Sequence, residues 1–299
     1  MKRNIARVVV FILCCFVSAF SQSNNRELTV TYVANEGFLL RSSNHKVLID
    51  ALFSDGYGLF SVPTKETIRQ IMDGKAPFDS VDVYLLTHYH KDHCDPVLIN
   101  GYLTKHKDVS LVTNKPAILF MDGSCFGFVR LKKQFRELTP EINQSDSTSV
   151  AGIPIKAFAL KHLSFYRDSV DLEEYMYNAC YLIGMDGIRV FHSGDIKRNA
   201  LESYLAENKR WTDSIDVAFL YFELFDSGKT DLDYVVKTLN PRYIVVMHVP
   251  PRMMDEWTEK IAELRRYFPN ILLFRNSLDS QVIDVTGSKH NDKSKEIEK

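Results

Sequence analysis

The residues able to do chemistry crowd into one stretch, His88-x-His90-x-Asp92-His93, three imidazoles and one carboxylate within six positions. Donors at this density suit a divalent cation: a tetrahedral zinc site uses about four, and a catalytic one leaves a position for water. Such a grouping has no packing reason to exist. The apolar run Val81-Asp82-Val83-Tyr84-Leu85-Leu86 precedes it and reads as a buried strand. Side chains along an extended backbone repeat every two residues, so His88, His90 and Asp92 can face one side together. His93 breaks that period and joins them only where the chain turns. Asp95-Pro96 supplies a turn, with Asp as helix N-cap and Pro at the first helical position.

Other elements must bring further donors to the same place. A strand over 153–160 delivers Lys161-His162. A hairpin of 178–183 and 188–191 around Met185-Asp186-Gly187 delivers His192-Ser193-Gly194-Asp195. A strand over 243–247 delivers His248 and stops at Pro250-Pro251. Strand ends along one sheet edge can converge on one point. Upstream, strands over 28–33, 37–40 and 46–50 read as a meander with a turn at Ser42-Ser43-Asn44. The last ends in Asp50, read equally as a turn former and as a group that orients a ligand histidine. Residues 53–63 form an aromatic loop carrying Tyr57 between Gly56 and Gly58.

The connecting elements alternate. Thr64 caps a helix to Asp73 stopped by Gly74, and a helix over 96–106 has Val97, Leu98 and Leu103 among its apolar positions. A strand over 109–112 and a helix over 116–121 follow, then a basic amphipathic helix over 129–138 with a solvated face, then a polar loop over 143–149. Later come a helix over 199–208, a strand over 217–222 ending at Glu223, a helix to Leu239 opened by a Thr230/Asp233 capping box, a helix over 256–267 and a strand over 271–274. His45, His106, His192 and His290 read as ordinary core or surface histidines, and Cys94 as buried beside the site.

Of 299 residues, 45% are hydrophobic and 25% charged, with a formal net charge of -1. That composition suits a globular protein with a large core and ranks nucleic acid low as a partner. Lys2, Arg3 and Arg7 precede an apolar run over 8–17, and Ala19-Phe20-Ser21 offers a cleavage site, so residues 1–21 read as a secretory signal peptide. The run is about half of what a spanning helix needs. An anchor through Cys14 or Cys15 ranks lower, because neither follows a small residue. Past the signal only Cys94, Cys125 and Cys180 remain, too few for a disulfide framework. The expected organisation is one domain over 22–286 and a disordered Lys- and Glu-rich tail over 287–299.

The motif His88-x-His90-x-Asp92-His93, followed in order by His162, Asp195 in a Ser-Gly-Asp context and His248, resembles the metallo-β-lactamase superfamily from Leu28 to about Phe274, with Asp50 matching its early strand-end aspartate. The resemblance implies a four-layer αβ/βα sandwich with the metal site at one edge. It further implies that His88, His90 and His162 hold one divalent metal and Asp92, His93 and His248 a second, with Asp195 bridging. Zinc is the first expectation, with manganese and iron as others. Antibiotic-hydrolysing members have a cysteine at the Asp195 position, which points away from that activity. The runs 32–50 and 241–250 resemble the group of ascorbate-phosphate lactonase and phospholipase-D-like hydrolases.

These features predict an exported binuclear hydrolase in which a metal-bridged hydroxide attacks a small ester, lactone or phosphodiester and Asp92 orients the nucleophile or takes its proton. A nuclease of the same superfamily and a metal-binding protein without turnover are the alternatives. The expected partner is a small-molecule substrate, anionic ones being favoured by the field of two cations. Tyr57, Tyr166 and Arg167 are the candidate substrate contacts, the last two on the aromatic loop after His162; a partly packed surface loop is the other reading.

Overall fold

Short alternating strands and helices build two seven-stranded mixed sheets. The structure is a computed structural model describing residues 26–286; the expected signal peptide and polar tail lie outside the described residues. The first half supplies β1 (Glu27–Ala34), β2 (Gly37–Arg41), β3 (Lys46–Ile49), α1 (Lys65–Asp73), β4 (Val83–Leu85), α2 (Pro96–Lys105), β5 (Ser110–Thr113), α3 (Lys115–Ser124) and β6 (Phe135–Glu137). The second supplies β7 (Ser145–Val150), β8 (Ile153–Ala159), a small hairpin of β9 (Tyr166–Arg167) and β10 (Val170–Asp171), β11 (Ala179–Met185), β12 (Ile188–His192), α4 (Ala200–Asn208), β13 (Val217–Tyr221), α5 (Lys229–Leu239), β14 (Tyr243–Met247), α6 (Met254–Leu264), β15 (Ile271–Leu273) and β16 (Ser280–Asp284). Strand orders are β16-β1-β2-β3-β4-β5-β6 and β15-β14-β13-β12-β11-β8-β7.

Residues of both sheets, among them Phe38, Val83, Tyr181, Phe219 and Val245, share one buried cluster, with the Phe38 and Phe219 rings 4.8 Å apart. A second cluster packs Ile71, Tyr102 and Met121 of α1–α3 against Leu48, Tyr84 and Leu111. A third packs Leu201, Leu232 and Trp257 of α4–α6 against Phe191, Leu220 and Val246. This is the expected four-layer sandwich. Strands covered on both faces need continuous apolar runs, and β13 is buried at every position.

Strand direction places the site. β3 to β6 run parallel, as do β12 to β15, and β8 shares the β12 direction because both are antiparallel to β11. Ligands in such sheets collect beyond the carboxyl ends of strands. The ends of β4, β8, β12 and β14 lead directly to the expected donors.

The capping signals hold at two helices. Thr64 Oγ1 accepts from Thr67 N at 3.0 Å, and Asp95 Oδ1 accepts from Val97 N at 2.9 Å. Other expectations are corrected. Residues 145–150 are an edge strand, not a loop; their serines and threonine suit a strand that pairs only with β8 and faces solvent. Residues 128–134 are a 3-10 turn and 135–137 a strand, because Phe128 stacks on Phe135 and the Gln134 amide reaches the carbonyls of Leu103, His106 and Val109. Val97 is 68% exposed, and Ile99, Tyr102 and Leu103 carry the buried face of α2. The strand over 217–222 ends at Tyr221, and Phe222–Phe225 turn as a 3-10 helix. Helix α5 starts at Lys229 behind Gly228 without a side-chain cap, because Thr230 already lies inside the helix and Asp233 pairs with Lys229 instead of reaching back to the first turn. β16, unforeseen because Ile283 is its one buried residue and three of the other four are polar, closes the first sheet against β1. Among the described residues no helix is long and apolar enough to cross a membrane, and Cys94, Cys125 and Cys180 are free and buried.

Candidate metal centre

Two donor groups meet at the common edge: His88, His90, His162 and Asp195 in one, Asp92, His93 and His248 in the other, with the ligand atoms of each within 4.8 Å of one another. In the first, His88 Nε2 lies 3.1 Å from His90 Nδ1 and 3.4 Å from His162 Nε2, while Asp195 Oδ2 is 3.8 Å from both His88 Nε2 and His162 Nε2. In the second, His248 Nε2 lies 3.2 Å from Asp92 Oδ2 and 3.3 Å from Asp195 Oδ2, and His93 Nε2 3.5 Å from Asp195 Oδ1. Asp195 thus faces both groups. The turn that brings His93 in lies earlier than Asp95-Pro96 suggested: the His90 carbonyl accepts from His93 N at 3.0 Å and Cys94 N at 2.8 Å. Leu163 N donates to Asp195 O at 2.8 Å, which ties His162 to the Asp195 segment.

Outward-facing ring nitrogens fix the tautomers. His88 Nδ1 donates to Thr87 Oγ1 at 3.0 Å, and that hydroxyl donates to Asp50 Oδ2 at 2.6 Å. His93 Nδ1 donates to the same Asp50 oxygen at 3.0 Å, so Asp50 steadies a histidine of each group. His162 Nδ1 donates to the Leu163 carbonyl at 2.9 Å, and His90 Nε2 pairs with Glu173 Oε2 at 3.0 Å. Asn35 Nδ2 donates to Asp92 Oδ2 at 3.1 Å. Left-handed backbone at Asn35, Asp50 and His248 marks strain held by these surroundings. In Ser193-Gly194-Asp195 the glycine is obligatory: φ is +55 and a Cβ would stand 2.2 Å from Asn178 Oδ1.

The profile of the β-lactamase superfamily domain matches residues 29–248. The chain belongs to the metallo-β-lactamase superfamily. It is a metal-dependent hydrolase of that superfamily. A metal-dependent hydrolase of Pyrococcus furiosus is 24% identical over 231 residues, covering 76% of this chain and 88% of that protein. Among solved structures, an isothiocyanate hydrolase from Delia radicum gut bacteria matches with a TM-score of 0.55 at 16% identity, covering 86% of this chain and 99% of that one. A metallo hydrolase of Ignicoccus hospitalis matches with 0.52 at 17% identity and the same coverage.

The two groups could each hold a cation. His93 Nε2, Asp195 Oδ1 and His248 Nε2 are buried without hydrogen-bond partners among the described residues, which fits atoms reserved for metal. Burial, His93 and His90 hold His88 well below its ordinary value, and burial takes His162 down to about 4, so both imidazoles are neutral. Burial opposes the charged form of His248, but Asp195, Asp92 and Glu36 lift it to about 10. His93 is likewise raised, against burial, by Asp195 and Asp92. Asp195 is held well below the carboxylate range, against burial, by His248 and His93.

Within this superfamily site, two acids escaped sequence reasoning. Glu173 sits on the predicted substrate loop yet pairs with His90, and Glu36 is wholly buried beside the second group. No spacing signal marks either; the Asn-Glu-Gly turn between two strands was the available hint for Glu36. Of the predicted substrate residues, Tyr57 is close, its ring 6.4 Å from His90 and its hydroxyl accepting from Lys91 N at 3.3 Å. Tyr166 and Arg167 are exposed on the β9–β10 hairpin. Phe60 packs edge-on 4.3 Å from His248. His192 is structural, its Nε2 bonded to the Glu36 carbonyl, and Cys94 is buried in the α1–α3 layer.

Proposed function

We propose that the chain is an exported binuclear hydrolase of a small ester, lactone or phosphodiester, with two divalent cations, zinc first, held by His88, His90 and His162 and by Asp92, His93 and His248, and shared by Asp195. The single observation that supports this reading most is the convergence of two donor groups on Asp195, whose oxygens lie 3.3–3.8 Å from ligand nitrogens of both. Cations there would lower the pKa of water and polarise a carbonyl or phosphoryl oxygen. Asp92, which accepts from Asn35 Nδ2, would hold the nucleophile or take its proton. Tyr57, Phe60 and the loop over 163–177 border the approach and set substrate fit, with Arg167 offering a positive charge to an anionic group. Export rests on the basic and apolar N-terminal residues, and secretion of the full chain with cleavage near Ser21 tests it.

The enzymatic reading is tested by metal analysis of the purified protein and by a chromogenic panel of phosphodiesters, lactones, thioesters and β-lactams with and without chelator. Chelator-sensitive turnover of one class with two metals per chain is expected. Asp92→Asn is expected to abolish it; full activity with both metals retained would end the role given to Asp92.

A further inference from the structure

Glu36 stands in the turn between β1 and β2, fully buried, and neither carboxylate oxygen has a hydrogen-bond partner among the described residues. The residue is anchored through its backbone, because its carbonyl accepts from His192 Nε2 at 3.1 Å. The turn is packed tightly: a Cβ at Gly37 would stand 2.7 Å from the Asp50 carbonyl oxygen. The side chain therefore sits where the turn directs it. Ligand atoms of Glu36, Asp195 and His248 lie within 4.8 Å of one another, as do those of Glu36, Asp50 and His93. Glu36 Oε2 is 3.9 Å from His93 Nδ1, too far for a hydrogen bond, and that nitrogen already serves Asp50.

A buried carboxylate without donors is costly unless a positive charge faces it. When His93 and His248 give lone pairs to a metal they are neutral, and the positive charge left beside Glu36 is the cation itself. We infer that Glu36 is a further anionic donor to the cation held by Asp92, His93, Asp195 and His248. This rests on the two-metal reading above and goes beyond the donor set that the sequence motif names. Three carboxylates and two imidazoles make the second position richer in oxygen than the three-histidine position. Carboxylate donors suit harder ions such as manganese, whereas imidazole suits zinc and iron among others. The two positions are thereby built for different metals.

The test uses full-length protein stripped by chelation and titrated with Mn2+ or Zn2+ at equilibrium. Glu36→Gln keeps the shape and removes the charge. It is expected to weaken Mn2+ at the second position by about 10–100-fold, Zn2+ by less, and to leave the three-histidine position unchanged. Mn2+ and Zn2+ constants both within about twofold of the parent's would overturn the inference. Should the variant not fold, anomalous diffraction from Mn2+-loaded wild-type crystals decides. A Glu36 oxygen about 2.0–2.3 Å from the ion supports the inference, and both oxygens beyond about 3.5 Å of an occupied second position overturn it. Binding of no cation by the wild-type chain would overturn the two-metal reading itself, which distinguishes the two failures.

Discussion

The two halves of the metal centre are built on opposite electrostatic plans. Around His88, His90 and His162 every outward nitrogen has a partner, in Thr87, Glu173 and the Leu163 carbonyl, and the buried His88 and His162 are held neutral. Around His93 and His248 the neighbours are Asp92, Asp195 and Glu36, both imidazoles are raised, and several buried polar atoms lack partners. The first half has its outward nitrogens already paired; the second balances carboxylates with protons, which on the two-cation reading a cation would replace. Metal binding should therefore cost little rearrangement in one half and displace protons in the other.

The largest perturbation of this contrast is Asp195→Asn, because that side chain faces both halves. Turnover should fall by at least about 10³-fold, several kcal/mol of lost charge stabilisation, with both metals weakened in titration calorimetry. Loss of one metal alone would show that Asp195 belongs to a single half. Next comes pH. His93 and His248 lose their protons on binding, so affinity at the second position should fall by about tenfold for each unit by which pH is lowered, per displaced proton, while the three-histidine position changes less near neutrality. Stability of the metal-free chain runs the other way. With His248 raised from 6.5 to about 10, its contribution is complete below about 6.5 and is lost as pH rises through about 10. Thermal melts of stripped protein across that window check the sign.

Smaller effects separate the supports. Asp50→Asn should weaken both metals by about 10–100-fold, because Asp50 braces His88 through Thr87 and His93 directly. Glu173→Gln should weaken only the first, by about tenfold, through His90. Equal losses at both positions from Glu173→Gln would contradict the division into halves. The smallest change is expected from Arg167→Ala, a severalfold rise in the Michaelis constant for anionic substrates with metal content unchanged; constants unchanged on every tested substrate would return the hairpin to ordinary surface.

Much of this molecule is legible locally. The strand–loop–helix around His88 to Pro96, the Thr64 and Asp95 caps and the hairpin at Asp186-Gly187 follow from residue type and short spacing, because hydrogen bonds between near neighbours decide them. Elements whose identity depends on a distant partner were not legible. The polar strand over 145–150 is a strand only because β8 lies beside it, and β16 only because β1 does. Gln134 ends the expected helix by reaching carbonyls of another segment.

The same division runs through the site. Donor types and their order are written in the chain, since His88 to His93, His162, Asp195 and His248 each follow an apolar strand and a strand end delivers its next residues to the sheet edge. Which oxygen of Asp195 faces which nitrogen, the bracing of both halves by Asp50, and the reach of Glu173 and Glu36 to the centre come from packing between distant segments. Burial and charge compensation are properties of the space between chain segments. A glutamate between two strands carries no mark of them until both sheets close around it.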